Sequence, residues 1–462
     1  MRLSELSGET REEDPVITGL AADSRQVKPG YLFAALPGIE IDGARFIPQA
    51  EQNGAVAVLA SPGVKASVIT IEDASPRRRL AIMASKFYRP APATMVGVTG
   101  TNGKTSVVSF AAQLWTLLGV AAGSIGTLGA SGPNYQRPLD HTTPEPVVLH
   151  ETLRDMARAG VTHAAMEVSS HALAQYRADG VRFSIAAFTN ITQDHLDYHA
   201  TSDAYFSAKK RLFTDLLSDD GAAIVNVDGA GGADLAAAMR ADARRVLTVG
   251  ANGDFIATND IQPTASGLLV RFRAANTDVE IDLPLVGAFQ AENALLAAAI
   301  VAASGFAIKD IAPLLSSLRG APGRMEKVAE IDGVGGVYVD YAHTPDAVAT
   351  AISAIRPHTA GRIIIILGAG GDRDREKRPL MGAAAASADC VIVTDDNPRR
   401  EDPSAIRASV MQGAGAALNV HEIGDRGAAI QAGVDMMREG DVLLIAGKGH
   451  ETGQTIGTRT IA

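Results

Sequence analysis

The sequence predicts an α/β fold class organised as three domains. Its 462 residues exceed one ordinary core, since domains hold about 150 residues each. Hydrophobic residues make up 46% and charged residues 20%, which excludes a disordered or fibrous chain. In the middle and last parts of the chain, short β-rich runs alternate with helical patterns and turn residues. Such alternation predicts mostly parallel sheets with helices on both faces.

Two proline-containing segments indicate where domains join. Pro90 and Pro92 stop any helix and favour an extended segment. Pro322 lies in the turn-rich segment 319–324, which follows a helix predicted over 308–318. We therefore expect domains over residues 1–90, 91–321 and 322–462.

Charge and composition exclude several classes of partner. The net charge of −10 at pH 7 argues against a general nucleic-acid binder and against binding to an anionic membrane surface. No apolar run approaches the roughly 20 residues that span a bilayer, and the N-terminal residues lack the apolar core of a signal peptide. Cys390, the single cysteine, can form neither an internal disulfide nor a cysteine-based metal site. We expect a cytosolic protein without nucleic-acid binding or membrane insertion.

The strand pattern indicates where functional residues lie. A buried strand is predicted over 95–99 and a helix over 104–118. Further strands are predicted over 163–168, 184–191, 222–227, 245–249, 336–340, 362–367, 390–394 and 441–446. Ligands of such sheets bind at the carboxyl ends of the strands, so the loops after these strands are the candidate sites.

The most specific local motif is GVTGTNGKT, residues 97–105. Its glycines allow backbone N–H groups to face an anion, the helix N-terminus favours negative charge, and Lys104 brings a positive charge to the phosphates. The Thr105 hydroxyl suits Mg²⁺. Val98 stands where the G-x-x-x-x-G-K-[ST] pattern has its first glycine, so a glycine-rich turn with an incidental lysine is the alternative.

Polar residues also follow two other predicted strands, in the segments 166–171 and 190–199. Mg²⁺ prefers oxygen, and one or two carboxylates with substrate phosphates usually suffice. Glu167 is therefore a candidate to hold a metal near the loop, and His195 a second one. Taken singly, each is more often a capping or hydrogen-bonded residue than a metal ligand. Together, on adjacent strand ends beside a phosphate loop, the two favour a metal site. The segment AKKRLF, residues 208–213, is by itself typical of a solvated basic helix face.

Motifs along the whole chain together resemble those of the Mur ligases. In order, they are GTNGKT (100–105), HTTP (141–144), EVSSH (167–171), DHLD (194–197), NA (293–294) and DYAHTP (340–345). Four more narrow the resemblance to members that use diaminopimelate: GGDRD (370–374), KRP (377–379), DNPR (396–399) and GKGHE (447–451). The resemblance extends from about residue 22 to residue 451, and the joint occurrence is highly specific.

This resemblance implies an enzyme of three domains. They are an N-terminal α/β domain that binds a UDP-sugar (1–90), a central P-loop ATPase-like domain with a parallel sheet that binds ATP (91–321), and a C-terminal Rossmann-like domain that binds an amino acid (322–462). The implied reaction is ATP-dependent addition of meso-2,6-diaminopimelate to the D-Glu side-chain carboxylate of UDP-MurNAc-L-Ala-D-Glu, through an acyl phosphate, in peptidoglycan precursor synthesis. ATP as co-substrate and two Mg²⁺ ions are implied, and we expect a cytoplasmic monomer.

The resemblance also implies roles for individual residues. ATP is expected at Gly100, Thr101, Asn102, Gly103, Lys104, Thr105, Ser106, Asn293, Arg324 and Asp340. The UDP-MurNAc-dipeptide is expected at Ser24, Thr142, Thr143, Ser169, Gln175 and Arg177. Diaminopimelate is expected at Arg373, Asp396, Asn397, Pro398, Arg399, Gly447 and Glu451. The expected Mg²⁺ ligands are Thr105, Glu167, His195 and Lys209, and the expected catalytic residues are Lys104, His195 and Lys209.

In this family, the lysine that Lys209 matches is carbamylated by CO₂. A carbamate is an anionic oxygen ligand that suits Mg²⁺, whereas an ammonium would repel the ion. This implication replaces the interpretation of Lys209 as one residue of a solvated basic face.

Arg399 carries the implied preference for diaminopimelate. The second carboxylate of meso-diaminopimelate can pair with Arg399 through two parallel N–H···O bonds, and Glu451 can accept from the ammonium beside it. L-Lysine lacks this carboxylate, so such a site rejects it by something like 10⁴-fold. The alternative for DNPR is a plain Asx-Pro turn with a surface arginine.

Three other functions are alternatives. Arg399 argues against a lysine-adding sibling. The N-terminal domain and the segment 142–144 argue against folylpolyglutamate synthetase, which shares the fold and the acyl-phosphate route. A nucleotide-gated binding module without chemistry is disfavoured by the presence of Lys104, Thr105, Glu167, His195 and Lys209.

Overall fold

The computed structural model describes residues 1–38, 41–192, 196–199, 201–264, 266–449, 451, 453–457 and 459–461, with Leu196 and Asp197 in backbone only. The chain divides into two compact units. Met1–Ala257 and Leu295–Ile311 form the first, and Thr258–Ala294 and Ala312–Ala462 form the second. Both units contain helices and mostly parallel sheets, so the predicted α/β class is confirmed.

The first unit begins with a small parallel sheet of strand order β1-β2-β3-β4. Its strands are β1 (Gly19–Ala21), β2 (Tyr31–Ala35), β3 (Ala55–Ala60) and β4 (Ile69–Glu72). Its helices are α1 (Leu3–Ser7), α2 (Ile47–Gln52) and α3 (Pro76–Phe87). The successive residues Leu32 and Phe33 belong to two different buried clusters. Both faces of the sheet are therefore covered, as near-continuous apolar strands require.

A larger sheet follows, with the strand order β12-β11-β10-β5-β9-β6-β7-β8. Its strands are β5 (Thr94–Thr99), β6 (Ala122–Gly126), β7 (Gly129–Gly132), β8 (Tyr135–Arg137), β9 (His163–Glu167), β10 (Phe183–Phe188), β11 (Leu217–Asn226) and β12 (Arg245–Gly250). Its helices are α4 (Lys104–Leu117), α5 (Pro146–Arg158), α6 (Ser170–Ala174), α7 (Leu196–His199), α8 (Ser202–Arg211) and α9 (Gly232–Ala241). β12 through β6 run parallel, and β6-β7-β8 form an antiparallel meander.

Between the large sheet and the last part of the chain lie β13 (Ile256–Thr264), α10 (Ala288–Ala303) and α11 (Ile308–Ile311). The helical stretch predicted over about 308–318 is helical over residues 308–317, and it changes from an α-helix to a 3-10 helix at Ala312. Pro313 has no N–H to donate to the carbonyl four residues earlier, so it interrupts the α-helical hydrogen bonds.

The second unit contains the hairpin β14 (Gly267–Ala274) and β15 (Thr277–Leu283). Its main sheet has the order β16-β17-β21-β18-β19-β20, with β16 antiparallel and the other pairs parallel. The remaining strands are β16 (Glu326–Ile331), β17 (Gly335–Asp340), β18 (Ile363–Leu367), β19 (Cys390–Val393), β20 (Val420–Glu422), β21 (Val442–Ala446), β22 (Gln454–Ile456) and β23 (Arg459–Ile461). Its helices are α12 (Pro345–Ile355), α13 (Lys377–Ala385), α14 (Pro403–Ala414) and α15 (Arg426–Met436). Across the described ranges, no helix combines the length and apolar character that crossing a bilayer requires.

Strand order brings the candidate segments of each unit to one sheet edge. β5 lies between β9 and β10, with Val98 beside Glu167. The carboxyl ends of these three strands therefore lie around the loop 100–103. In the second unit, β17 and β21 end together, with Asp340 beside Ala446.

His150 lies inside the first unit, on α5, and is 3% exposed. Its Nε2 is 3.2 Å from the carbonyl oxygen of Asp179, so a neutral ring donates this hydrogen bond. Burial disfavours the imidazolium and lowers the pKa of His150 from 6.5 to about 4. Between these pH values the unfolded chain binds a proton that the folded chain does not, so stability falls as the pH drops through this window.

We predict that lowering the pH from 7 to 5 reduces the unfolding free energy by about 2 kcal/mol through His150. His150→Gln keeps an N–H for the Asp179 carbonyl but does not titrate, so the variant should lose this part of the pH dependence. Urea unfolding followed by the fluorescence of Trp115 measures it, because this is the single tryptophan and it is buried in the same unit. Equal pH dependence of the two proteins would contradict the prediction.

Candidate functional site

The loop between β5 and α4 has the backbone geometry of a phosphate-binding loop. Gly100 has a φ of +149°, and a Cβ there would lie 1.8 Å from Oγ1 of Thr189, so a side chain does not fit. Gly103, with a φ of +85°, is the N-cap of α4. Lys104 Nζ donates to the carbonyl oxygens of Gly100 at 3.0 Å and Thr101 at 2.8 Å. The lysine therefore lies along the loop at a helix N-terminus, where phosphate is favoured.

Residues that the sequence did not predict hold this loop in place. Asn190 accepts from the backbone N–H of Thr101 at 2.9 Å and, through Oδ1, from that of Asn102 at 3.1 Å. Thr189 Oγ1 donates to the Asn102 carbonyl at 2.6 Å, and the hydroxyls of Thr101 and Tyr205 are 3.1 Å apart. The one feature of the sequence that could have indicated this role is the position of Asn190, which begins a polar segment at the end of a predicted strand.

Lys209 is buried beside the loop rather than solvated. It lies on α8 and is 1% exposed. Its Nζ donates to the carbonyl oxygen of Gly100 at 2.7 Å and lies 4.3 Å from the centroid of the Tyr205 ring. Lys104 and Lys209 thus donate to the same carbonyl, and a solvated basic face is wrong for Lys209. His195 lies outside the described residues.

Glu167 and Thr105 offer the oxygen atoms that a hard cation prefers. Glu167 ends β9, is 2% exposed, and accepts from the backbone N–H of Thr127 at 2.8 Å and its hydroxyl at 3.3 Å. Thr105 and Ser106 are buried in the first turn of α4. A carboxylate and a hydroxyl fit Mg²⁺, which completes its coordination with waters and substrate phosphates. Within the described ranges, no three His, Cys, Asp or Glu residues cluster as a cation site.

Three residues predicted to hold the dipeptide substrate surround Glu167. Thr143 Oγ1 donates to the Glu167 carbonyl at 2.9 Å and accepts from the backbone N–H of Ser169 at 3.0 Å. Thr142 Oγ1 is 3.0 Å from Oγ1 of Thr127, which also contacts the Glu167 carboxylate. Ser169 caps the N-terminus of α6. The structure therefore brings these predicted residues to the strand end that carries Glu167.

Arg177 and Gln175 extend this group. Arg177 donates to Gln175 Oε1 at 2.7 Å and to the Thr143 carbonyl at 3.2 Å, and it pairs with Glu145 Oε1 at 3.0 Å. Gln175 Nε2 donates to the Tyr198 hydroxyl at 3.1 Å. These contacts hold the guanidinium beside Thr143. Glu145 was not predicted, although it directly follows the HTTP motif.

Ser24 begins the short 3-10 helix Ser24–Gln26, which follows β1 of the small N-terminal sheet. Its hydroxyl donates to Gln49 Oε1 at 2.7 Å, and its carbonyl accepts from Asn53 Nδ2 at 2.8 Å. Asp23 caps the short turn by accepting from the backbone N–H of Arg25 at 2.9 Å. These contacts join Ser24 to α2 and its following residue, rather than to the group around the loop.

In the second unit, hydrogen bonds link the three residues predicted to contact ATP. Asn293 Nδ2 donates to Gln290 Oε1 at 3.3 Å, and Gln290 Nε2 donates to the Arg324 carbonyl at 3.1 Å. Asp340 accepts from the backbone N–H of Met325 at 2.8 Å. Burial raises the pKa of the Asp340 carboxyl above its ordinary value. Asp340 thus fixes the turn that carries Arg324.

The DNPR motif forms a tight turn after β19. Asn397 and Arg399 have φ values of +42° and +51°, which residues with side chains adopt rarely. Asn397 Oδ1 accepts from the backbone N–H of Thr455 at 2.8 Å, and the backbone N–H of Arg399 donates to the Thr455 carbonyl at 3.0 Å. Arg399 Nη1 donates to the Gly371 carbonyl at 2.8 Å. The adjacent Pro398 is buried. Arg399 is therefore held through both its backbone and its side chain, in contrast to an unattached surface arginine.

The other residues predicted to bind diaminopimelate lie at neighbouring strand ends. Burial raises the pKa of Asp396, which follows β19. Gly447 follows β21, and a Cβ there would lie 3.0 Å from Asp396 Oδ2. Glu451 accepts from the backbone N–H of Gly449 at 2.8 Å, and Arg373 is exposed in the loop after β18.

An ion pair supports the turn to which Arg399 is bonded. Arg378 Nη2 is 2.8 Å from Glu401 Oε1 and donates to the Gly370 carbonyl at 3.3 Å. Glu401 also accepts from the backbone N–H of Asp372 at 2.7 Å. The side-chain hydrogen bonds from Arg378 are the largest cause that lowers the pKa of Glu401 to about 2. The sequence marked Arg378 within the KRP motif without assigning this role.

Comparison with known families identifies three matching segments. Residues 16–88 match the model described as Mur ligase family, catalytic domain. Residues 98–301 match the Mur ligase middle domain, and residues 323–449 match the Mur ligase, glutamate ligase domain.

Relatives and a solved structure are similar over nearly the whole chain. The UDP-N-acetylmuramoyl-L-alanyl-D-glutamate–2,6-diaminopimelate ligase of Mesorhizobium japonicum is 45% identical, covering 100% of this chain and 96% of that protein. The ligase of the same name from Rhizobium meliloti is 48% identical, covering 96% and 92%. A solved structure of a ligase of this name is 32% identical with a TM-score of 0.75, covering 100% and 96%. These similarities confirm the three-domain α/β fold, and the chain belongs to the Mur ligase family.

Proposed function

We propose that this chain is the ATP-dependent ligase that adds meso-2,6-diaminopimelate to UDP-MurNAc-L-Ala-D-Glu in peptidoglycan precursor synthesis. The observation that carries the proposal is the full-length similarity to ligases of that name. The phosphate loop with Lys104 and the buried Lys209, and the turn that fixes Arg399, are the local features that this reaction explains.

The first step transfers the γ-phosphoryl group of ATP to the D-glutamyl side-chain carboxylate, giving an acyl phosphate and ADP. Such transfer depends on positioning and charge stabilisation rather than on covalent chemistry by the protein. Lys104 brings positive charge to the phosphates, which bind residues 100–106. Asn293, Arg324 and Asp340 are the proposed ATP contacts of the second unit.

The second step forms the amide bond. An amine of diaminopimelate attacks the acyl carbon, and the tetrahedral intermediate expels phosphate. The muramoyl dipeptide is held at Thr142, Thr143, Ser169, Gln175 and Arg177, and the hydrogen bonds that gather these residues near Glu167 support this role. Ser24 contacts the UDP end of the substrate.

Thr105 and Glu167 are the proposed holders of one Mg²⁺ ion, which neutralises phosphate charge when bound. A second ion requires His195 and a negatively charged Lys209. The Nζ–H···O bond from Lys209 to Gly100 is compatible with a carbamate, because a carbamate nitrogen keeps one hydrogen to donate. Modification therefore adds an anionic ligand without removing the contact that holds the side chain.

A phosphate-release assay with UDP-MurNAc-L-Ala-D-Glu, ATP and each candidate amino acid tests the function. Release with diaminopimelate, and little with lysine or without amino acid, is expected. Release with lysine alone would favour the lysine-adding sibling. Release with a folate and glutamate would favour folylpolyglutamate synthetase, and nucleotide binding without any release would favour a binding module.

The remaining assignments rest on the same proposal. We propose domains over 1–90, 91–321 and 322–462, of which the first binds the UDP-sugar, the second ATP and the third the amino acid. The substrates are small molecules, and the protein acts in the cytoplasm as a monomer. Arg373, Asp396, Asn397, Pro398, Gly447 and Glu451 line the amino-acid site together with Arg399.

We predict that Arg399→Ala reduces the preference for diaminopimelate over lysine from about 10⁴-fold to below about 10-fold. The reason is that the second carboxylate loses its guanidinium partner, whereas lysine loses nothing. Steady-state kcat/KM with each amino acid measures this, and ATP binding should be retained. Arg400→Ala is the matched control, because Arg400 is adjacent and its side chain is 79% exposed. Unchanged discrimination in Arg399→Ala would refute the pocket assignment.

We also predict that Lys209→Ala lowers kcat by at least about 100-fold, as loss of a charge-stabilising group does. Lys209→Arg should be equally impaired, because arginine keeps a positive charge but cannot carry a carbamate. Lys210→Ala, at the next position, should retain activity. With ¹³C-bicarbonate, the native protein should show a carbamate carbon signal that both Lys209 variants lack. An active Lys209→Arg variant, or no signal in the native protein at neutral pH, would exclude the carbamate.

A further inference from the structure

Asp179 is a buried carboxylate to which the proposed mechanism assigns no role. It lies in the loop between α6 and β10 and is 2% exposed. Oδ1 and Oδ2 accept from Nη2 of Arg211 at 2.7 and 2.8 Å, and Oδ1 also accepts from Nε of Arg78 at 3.0 Å. A buried carboxylate with two arginine partners is costly to disturb, because loss of one partner leaves a poorly compensated charge.

Arg211 is the final residue of α8, and its guanidinium contacts the segment 173–179 at several points. Nη1 donates to the carbonyl oxygen of Leu173, and Cζ lies 4.5 Å from the centroid of the Tyr176 ring. Nε donates to Asp215 Oδ2 at 2.8 Å. A single planar group therefore joins the start, middle and end of this segment to the end of one helix.

The two elements joined in this way carry different parts of the proposed site. The segment 173–179 carries Gln175 and Arg177, the proposed contacts of the muramoyl dipeptide. Helix α8 carries Tyr205 and Lys209, which contact the phosphate loop at Thr101 and Gly100. The Asp179–Arg211 ion pair is thus a direct link between the dipeptide-binding segment and the helix that reaches the loop.

Arg78 adds a third element. It lies on α3, beside the small N-terminal sheet, and its side chain is 56% exposed. An exposed guanidinium contributes little to an ion pair, so the link to α8 through Arg211, 18% exposed, is the stronger of the two.

We propose that Asp179 and Arg211 are positioning residues for the muramoyl-dipeptide substrate. Their ion pair sets the segment 173–179 against α8, so that Gln175 and Arg177 present their polar atoms at a fixed place relative to the loop. Neither residue needs to touch the substrate. The inference rests on the proposed function, because that function supplies the dipeptide substrate.

Asp179→Asn and Arg211→Gln test this role. Each should raise the KM for UDP-MurNAc-L-Ala-D-Glu by about 10-fold and lower kcat, because small displacements of substrate-positioning groups have large kinetic effects. The KM for ATP should change less than about 2-fold, since Tyr205 and Lys209 still hold α8 to the loop by contacts that neither variant removes. Because the two residues act as a pair, the double variant should show no larger rise in KM than either single variant.

Matched controls separate positioning from general loss of stability. Asp441→Asn changes another carboxylate that is 2% exposed and paired with an arginine, Arg362. Asp441 directly precedes β21 and therefore lies at the end of this strand opposite Gly447. Arg244→Gln removes an arginine side chain that is 18% exposed, like that of Arg211, and that pairs with Asp219. Asp441→Asn should lower the unfolding temperature about as much as Asp179→Asn, whereas Arg244→Gln should lower it less than Arg211→Gln, because Asp219 is fully exposed. Both controls should leave both KM values unchanged.

The outcomes distinguish this inference from the proposed function. If the native protein turns over none of the proposed substrates, the proposed function fails. If the native protein is active but Asp179→Asn changes both KM values equally, or neither, or matches Asp441→Asn, the positioning role is refuted. Additive effects in the double variant would also refute it.

Arg211→Lys keeps the test decisive if the stronger variants do not fold. It preserves a positive charge beside the buried carboxylate but lacks the planar fork that reaches Leu173 and Asp215. Its KM for the dipeptide substrate should rise by about 3-fold, with the KM for ATP unchanged. A folded Arg211→Lys variant with native kinetics would overturn the proposal.

Discussion

The carbonyl oxygen of Gly100 is the point on which the site of the first unit depends. Lys104 comes from the helix that follows the loop and Lys209 from a helix more than a hundred residues later, yet both donate to this one atom. The arrangement requires glycine, because a Cβ at position 100 would collide with Thr189. It also fixes α8 against the loop, since Lys209 is buried and can satisfy its ammonium group only with nearby acceptors. The close approach of backbone and side chains therefore organises both the phosphate loop and the helix beside it.

In the second unit, a charged side chain is likewise held in place by backbone carbonyl and side-chain contacts. Three contacts hold Arg399 in the turn after β19. Asn397 and Thr455 fix the backbone, and the Gly371 carbonyl accepts from the side chain. The Arg378–Glu401 ion pair in turn holds the segment around Gly371. A charged group that is prearranged in this way loses little conformational entropy on binding, which suits the carboxylate contact proposed for Arg399.

Both units contain ion pairs in which at least one of the two charged side chains is buried. Asp179 pairs with Arg211, Asp441 with Arg362, and Glu401 with Arg378. Removal of a charge from water is costly without such compensation. The same physical requirement therefore produces ion pairs near the proposed site and ion pairs that hold strand ends. The residues that each pair contacts distinguish the two kinds. Asp179 differs from Asp441 because its arginine also contacts the segment that carries Gln175 and Arg177.

Local patterns were sufficient for much of this protein. The apolar runs, the glycine-rich loop and the order of the motifs predicted the α/β class, the strands around which both units are built, and the loops in which polar residues gather, because these features depend on neighbours in sequence. Pro313 shows a local limit, because the pattern over 308–318 predicted helical residues but not the change from α-helix to 3-10 helix that accompanies the missing N–H of Pro313. The tertiary structure alone decided that Lys209 is buried, that Asn190, Thr189 and Tyr205 hold the phosphate loop, and that Arg211 joins two elements. Each of these contacts pairs residues far apart in the chain, and their partners are set by how helices pack on the sheet, which periodicity and motif spacing do not encode.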